Sequence, residues 1–549
     1  MISNSQIADA FSLLSKLMEI HGENSFKAKS YSSTAFAIEK LPVPINAIAF
    51  ENLTTYKGIS ESAAKKIGEL LQTGSMQQLT QLIQTTPPGV LEMLQIKGIG
   101  PKKISTIWKE MGIESLGELL YACQENRLLL YKGFGEKTQQ TIRQNIEYYL
   151  RHQGLYLFAD AEPYAWQLNT LLQQQFSGDQ FSLTGEFRRQ MEIIHQLEWV
   201  TTVSTDNLAR FMARSGYSIS SNENAVLDMQ HPNNIAIRFY CCAPNLFGTV
   251  LFNTSASETF LDTWGQVPDA ANETLIFNVK GIPAIPPFLR EHFPVQVHEN
   301  IVQPDSIKGI IHSHSNWSDG NNSIEEMAIA CIERGLEYLV ISDHSQSAGY
   351  ANGLSTERIR AQHHHIDTLN TQLYPFRIFK SIEADILGDG QLDYNDHVLA
   401  SFDLVIASVH SNLRMNEEKA MMRLLTAIKN PYTTILGHMT GRLLLSRPGY
   451  PIKHEQIIDA CIAHNVAIEL NAHPRRLDID WRWLDTAIKK GAYISINPDA
   501  HDVSGYEDTR YGVLVAQKGN VPVQRNISSM NLKTFEAWLQ EIKHKKGLL

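Results

Sequence analysis

The sequence predicts a multidomain α + α/β protein, helical over its first part and built of alternating strands and helices in its C-terminal half. Three observations predict it. The chain has 549 residues, too many for one hydrophobic core. Helical apolar spacing punctuated by glycine turns runs to about residue 150. From Ile307 onward, short apolar segments alternate with helix-length ones, the pattern of parallel strands covered by helices.

Composition narrows the class. With 43% hydrophobic and 19% charged residues the chain has an ordinary globular make-up. No stretch approaches the roughly 20 apolar residues of a membrane span, and Met1 to Gln6 is polar, without a signal-peptide pattern. Five cysteines form no C-x-x-C pair, which fits a reducing cytoplasm. The expectation is a cytoplasmic protein with no membrane partner. A net charge of −10 argues against broad electrostatic capture of nucleic acid. Residues 1–150, however, hold 15 Lys and Arg against 14 Asp and Glu, so the acidic excess lies further on.

The N-terminal part carries a repeated turn. Ile96-Lys-Gly-Ile-Gly-Pro-Lys-Lys-Ile104 reads as helix, tight turn, helix. Gly98 and Gly100 let the backbone approach a ligand closely, the next helix aims its first amides at an anion, and Lys97, Lys102 and Lys103 add charge. Tyr131-Lys-Gly-Phe-Gly-Glu-Lys137 repeats it with Lys132, Gly133, Gly135 and Lys137. Tyr56-Lys-Gly-Ile-Ser60 is a weaker copy that keeps Gly58 but replaces the second glycine with serine, ahead of Lys65-Lys66. One such turn is equally an ordinary helical corner; the recurrence is similar to a helix-hairpin-helix, which grips a DNA phosphate without reading bases. It divides this part into domains at 1–85 and 86–152.

From about 155 to 280 the texture changes to short apolar runs, such as 193–203 and 235–242, mixed with helices. A proline-rich stretch at 282–287 closes the region, and a polar linker spans 293–306. Beyond it, six strand-like segments (309–312, 338–342, 404–409, 434–438, 467–471 and 492–497) each end at or beside a His, Asp or Asn. In βα folds the chemistry sits at those strand ends.

The residues there are metal-binding types. His312-Ser-His314 sets two imidazoles on one side of an extended backbone. Asp319, His344 after Asp343, Glu383, His410, His438, Asp499 and His501 follow. Imidazole nitrogen with carboxylate oxygen suits zinc, manganese or iron. This is more than one ion can use, so two or three ions are expected, the arrangement that activates water against a phosphoester. A lone H-x-H or Asp-His arises by chance; recurrence at successive strand ends does not. His363-His364-His365 lies in a polar helical stretch and reads as solvated surface. Arg442 and Arg447, just past His438, are candidates to hold a phosphate, against the plainer reading of a surface ion pair.

These motifs resemble the PHP (polymerase and histidinol phosphatase) family. The resemblance implies a distorted (β/α)7 barrel over 307–549 with a trinuclear site, and makes His312, His314, Asp319, His344, Glu383, His410, His438, Asp499 and His501 its ligands. Of these, His312, His314, Glu383 and Asp499, with Arg442, are expected to be catalytic. Trp317-Ser-Asp-Gly320, Asp389-Gly-Gln-Leu-Asp393, Thr440-Gly-Arg-Leu-Leu444 and Leu477-Asp-Ile-Asp480 are similar to the PHP module of bacterial X-family DNA polymerases. His21-Gly-Glu-Asn-Ser-Phe-Lys-Ala-Lys-Ser-Tyr31 and Ile285-Pro-Pro-Phe-Leu-Arg-Glu291 extend the likeness to the lyase-like domain and the thumb (254–292). Met439 and Asn497-Pro498 depart from the subfamily pattern.

The resemblance also exposes a gap. The family's palm, here 153–253, carries Gly-Ser, Arg-Arg-Gly, Asp-x-Asp and a third Asp for two magnesium ions. This chain reads Thr184-Gly-Glu-Phe-Arg-Arg-Gln190, then Gln196-Leu-Glu198, with Ala236 at the third position. Gln196 and Ala236 offer no anionic oxygen, and Glu198 alone cannot hold two ions. The expectation is a metal-dependent 3′–5′ exonuclease or phosphodiesterase of DNA repair, with manganese ahead of zinc or iron. It acts on single-stranded ends and on gapped or nicked duplex, with a silent palm. The competing readings are an active repair polymerase with a proofreading PHP domain, and a small-molecule phosphatase.

Overall fold

The computed structural model describes residues 4–41, 43–150, 154–231 and 235–549. It separates into two compact units, Met1–Gln124 with Leu128–Tyr149, and Glu125–Arg127 with Leu150–Leu549. The expected boundary at 152/153 lies outside the described residues.

The first unit is helical. Helices Asn4–His21 and Ser25–Glu39 pair through buried Phe11, Leu14, Tyr31 and Ile38. The second is started by Asn24, whose side chain accepts from the amides of Phe26 and Lys27. The three turns share one backbone. Gly58, Gly98 and Gly133 sit at φ of +99°, +91° and +96°, a region that disfavours any side chain. In each copy the next residue donates its amide three residues back: Ile59 to Tyr56, Ile99 to Ile96 and Phe134 to Tyr131. Ile59, Ile99 and Phe134 are buried and pin the turn, leaving Lys97 and Lys132 exposed. Helices Glu61–Thr73, Pro101–Lys109 and Glu136–Leu150 then begin.

The second unit opens with strands β1 (Tyr156–Leu157), β2 (Phe181–Thr184), β3 (Ile193–Ile194), β4 (Gln196–Thr201), β5 (Ser218–Glu223), β6 (Val226–Gln230) and β7 (Ala236–Cys241). A mixed five-stranded sheet runs β2-β4-β7-β6-β5, with β4 and β7 parallel and the other pairs antiparallel. Helices Phe247–Thr254, Glu258–Trp264 and Glu273–Lys280 follow, packed around Phe252, Phe260, Trp264 and Phe277. The first of them straddles the expected 253/254 boundary. The expected linker, 293–306, is not loose: Val302 is buried and donates its amide to Val521, and Ile301 bridges Pro522.

A seven-stranded parallel sheet completes the unit, made of β8 (Gly309–Ile310), β9 (Tyr338–Ile341), β10 (Arg377–Asp385), β11 (Leu404–Ser408), β12 (Thr433–Leu436), β13 (Ala467–Asn471) and β14 (Ile494–Asn497). The strands follow chain order, each joined to the next by a helical crossover. A parallel bridge between Ser313 and Ala500 joins the two ends into a nearly closed barrel. β10 supplies the seventh strand of the expected barrel; its apolar run is interrupted by Arg377 and Lys380. Tyr338, Val340, Leu404, Ile406, Ile435 and Ala467 fill the N-terminal end of the barrel. Helix Leu532–Lys545 caps that end through Phe535, Trp538, Leu539 and Ile542, with Phe535 stacked on Tyr338 at 4.6 Å.

Candidate metal centre

Strand periodicity builds the site. Side chains two residues apart share a face, so each inward series runs from apolar at the capped end to polar at the C-terminal mouth. On β9 and its extension the series is Tyr338, Val340, Ser342, His344; on β11 it is Leu404, Ile406, Ser408, His410; on β13 it is Ala467, Glu469, Asn471. β10 contributes Ser381, Glu383 and Asp385, and β14 contributes Ser495, Asn497 and Asp499. His312 breaks the alternation by turning left-handed, at φ +62°, and Asp499 does the same at +54°. Such backbone is costly for residues other than glycine and is found where a site demands it.

The nine predicted ligands converge. His314, Asp319, His344 and His501 form one group, His312, His314 and Asp499 a second, and His344, Glu383 and His410 a third. Glu383 lies at the centre: its Oε1 is 3.0 Å from His438 Nε2, 3.1 Å from His410 Nε2 and 3.3 Å from His312 Nε2, and its Oε2 is 3.1 Å from His344 Nδ1. Asp499 Oδ1 is 3.0 Å from His314 Nε2, and Asp319 Oδ2 is 3.5 Å from His344 Nε2. Burial pushes the Glu383 carboxyl up, but His410, His312 and His344 outweigh it and hold the group well below the usual range. Several buried polar atoms find no hydrogen-bond partner in this cluster: His312 Nε2, His314 Nδ1, Asp319 Oδ2, His344 Nδ1, Glu383 Oε2, His438 Nδ1 and His501 Nε2. Buried polar atoms are normally satisfied. A concentration of orphaned nitrogens and carboxylate oxygens is the donor set that divalent cations take.

Three carboxylates behind the predicted ligands were not among the predicted site residues, although Asp343 belongs to the Asp343-His344 motif. Asp385 accepts from His410 Nδ1 at 2.5 Å and from Ser347 at 2.8 Å. Asp343 takes the amide and hydroxyl of Ser315 and the hydroxyl of Ser318, which fixes the loop carrying Asp319. Glu469 lies under His312. Their signal is an acid on the inward face of a buried strand or directly at its end, where a charge must have partners.

The structure does not bring Arg442 into the cluster. Its guanidinium donates to the carbonyls of Arg476 and Leu477 and to Asp480, because the 440–449 turn folds back over the loop after β13. Arg447 likewise donates to the Gly441 carbonyl. Of the histidine run, His364 is exposed, but His363 is half-buried edge-on against Phe402 at 4.9 Å.

The palm positions also meet. Gln196 pairs directly with Ala236 across β4 and β7, and Glu198 pairs with Arg238 two residues on, so all share one face. Glu198 Oε1 accepts from Tyr240 Oη at 2.9 Å and from Gln196 Nε2 at 3.1 Å, while Arg238 pairs with Asp228 at 2.6 Å. Among the described residues, no metal-binding group of His, Cys, Asp and Glu forms on this sheet. Arg188 and Arg189 pair instead with Glu273 and Glu291, and Lys518 of the barrel also donates to Glu291.

Fold and site together define the class: a PHP-domain protein that also carries helix-hairpin-helix domains. The chain matches the Helix-hairpin-helix domain family over residues 2–76, the SAM-like Helix-hairpin-helix tandem over 90–146 and the PHP domain over 311–473. Asp499 and His501 fall beyond that last match, and barrel closure at Ala500 brings them in. The chain is 32% identical to the DNA polymerase/3′-5′ exonuclease PolX of Bacillus subtilis, across 95% of this chain and 97% of the relative. It therefore belongs to the PolX family. A probable phosphatase of Caldicellulosiruptor bescii is 27% identical, over 33% of this chain and 73% of its own length. One of Photobacterium profundum is 25% identical, over 42% and 92%. No helix among the described residues is long and apolar enough to cross a membrane.

Proposed function

We propose that the chain is a divalent-metal-dependent DNA 3′–5′ exonuclease whose palm no longer polymerises. The observation that carries this is the barrel mouth, where nine His, Asp and Glu side chains converge and seven of them keep a buried atom without a hydrogen-bond partner. His312, His314, Asp319, His344, Glu383, His410, His438, Asp499 and His501 would hold two or three ions, manganese first among manganese, zinc and iron. Such ions supply charge stabilisation to a phosphoester and lower the pKa of water. The chain's own part is to fix these ligands on strand ends, six imidazoles and three carboxylates converging at one mouth. The helix-hairpin-helix turns hold the DNA backbone at single-stranded ends, gaps or nicks, through exposed amides and Lys97, Lys102, Lys103, Lys132 and Lys137. The palm reading rests on Gln196 and Ala236, which leave Glu198 bonded to neutral neighbours.

The test is a 5′-labelled primer on a gapped template with manganese and all four nucleotides. A ladder of shorter products is expected. Extension would overturn the silent palm and favour the polymerase activity in the Bacillus relative's name. Phosphate release from small monoesters, with the oligonucleotide left intact, would favour the phosphatase activity in the names of the shorter relatives.

A further inference from the structure

Glu469 sits on β13 with no exposed surface, one layer below the cluster. Both of its oxygens are fully engaged. Oε2 accepts from His312 Nδ1 at 2.6 Å and from Asn497 Nδ2 at 2.8 Å. Oε1 accepts from the His438 amide at 3.0 Å and from Asn471 Nδ2 at 3.1 Å. Four donors occupy the carboxylate, so it has no lone pair left to offer an ion.

We infer that Glu469 is a positioning residue of the metal centre: by holding the proton on His312 Nδ1 it turns Nε2 inward as a ligand, and through the same carboxylate it fixes the strand end that carries His438. The inference rests on the proposal that the cluster binds metal. The physics is tautomer selection. A neutral imidazole has one donor and one acceptor nitrogen, and a carboxylate against Nδ1 assigns the donor. Partners of this kind orient a ligand and raise its basicity. Glu469 reaches two ligands from different strands, which ties β8 to β12 across the barrel. It also gives Asn497, a departure from the subfamily pattern, a specific task, since its amide fills one of the four positions.

Glu469→Gln tests this without changing size. An amide nitrogen on the Oε2 side donates to His312 Nδ1 and leaves the ring proton on Nε2, where it blocks the lone pair an ion would take. On the Oε1 side it faces the His438 amide, which cannot accept. Manganese binding would be measured by calorimetry and by metal content after gel filtration, on full-length protein, with circular dichroism as the fold check. The expected result is a loss of about 10- to 100-fold in affinity, or of one bound ion, with DNA binding retained. Affinity within twofold of wild type overturns the inference. If Glu469→Gln does not fold, Glu469→Asp keeps the charge but cannot span both partners; a clear fall in affinity is again expected, and wild-type affinity again overturns it. Wild-type protein that binds no manganese would sink the metal reading itself, a separate outcome.

Discussion

The barrel mouth and the palm face start from the same geometry: neighbouring parallel strands present side chains two residues apart on one face. They end in opposite states. At the mouth, Glu383 is ringed by imidazoles, and several ligand atoms remain unsatisfied. On the palm, Glu198 is satisfied by Tyr240 and Gln196, and the neighbouring charge, Arg238, is neutralised by Asp228. A buried carboxylate needs a cation, donors or a proton. The mouth presents a donor set able to hold cations; the palm has closed its hydrogen bonds among its own side chains. Register alone therefore does not make a metal site, and the identity of one or two residues decides which state results.

The sharpest way to break this contrast is to remove one ligand from the mouth. Asp499→Ala should reduce cutting by more than about 1000-fold, on the order of 4 kcal/mol of barrier, while DNA binding stays within about twofold of wild type. Retained cutting on a labelled oligonucleotide would move the chemistry elsewhere. Chelation is the next largest effect. Dialysis against a chelator should abolish cutting and lower the melting temperature of the barrel, and manganese should restore both, since an ion that binds only the folded state stabilises it. Failure of manganese to raise the melting temperature would count against the site.

Much of this was legible in sequence, for a physical reason. Strand ends in a βα fold are where polar residues interrupt apolar runs, so His312, His410, His438 and Asp499 announce themselves. Glu469, Asp385 and Asp343 were harder, because an acid inside or at the end of a strand looks like noise until its partner on another strand is known. His312 lies 157 positions from Glu469. Arg442 misled for the converse reason: a guanidinium near a ligand suggests a phosphate clamp, but its neighbours were carbonyls and Asp480 that only the folded loop assembles. The seventh strand, implied by the family resemblance, is hard to see as an apolar run because β10 begins with basic residues half-buried at the edge of the core.

A smaller effect sharpens the same comparison within the helix-hairpin-helix turns. In the Ser60 copy the serine hydroxyl accepts from the Ala63 amide at 3.3 Å, so one amide that would face a phosphate is already used. Gly100 and Gly135 have no side chain to do this. Replacing Lys102 and Lys103 with alanine should weaken DNA binding and flatten its salt dependence by about one in the log–log slope for each lysine–phosphate pairing removed. Replacing Lys65 and Lys66 should do less. Equal weakening in fluorescence-anisotropy titrations would mean that these two turns grip alike.

The smallest expected effect tests the palm directly. Burial raises the Glu198 carboxyl above the ordinary glutamate value, against the opposing hydrogen bonds from Tyr240 and Gln196. The sign follows from linkage. An acid whose folded pKa lies above its unfolded pKa binds its proton more tightly when folded. Its contribution is therefore most favourable below the unfolded pKa and is lost as pH rises through the folded one. Glu198→Gln removes that loss while keeping an oxygen that accepts from Tyr240. The melting temperature of this variant should match wild type near pH 4 and exceed it near pH 7, with cutting unchanged. If Glu198 instead served a metal-dependent palm, the same substitution would abolish primer extension and gain nothing in stability at neutral pH.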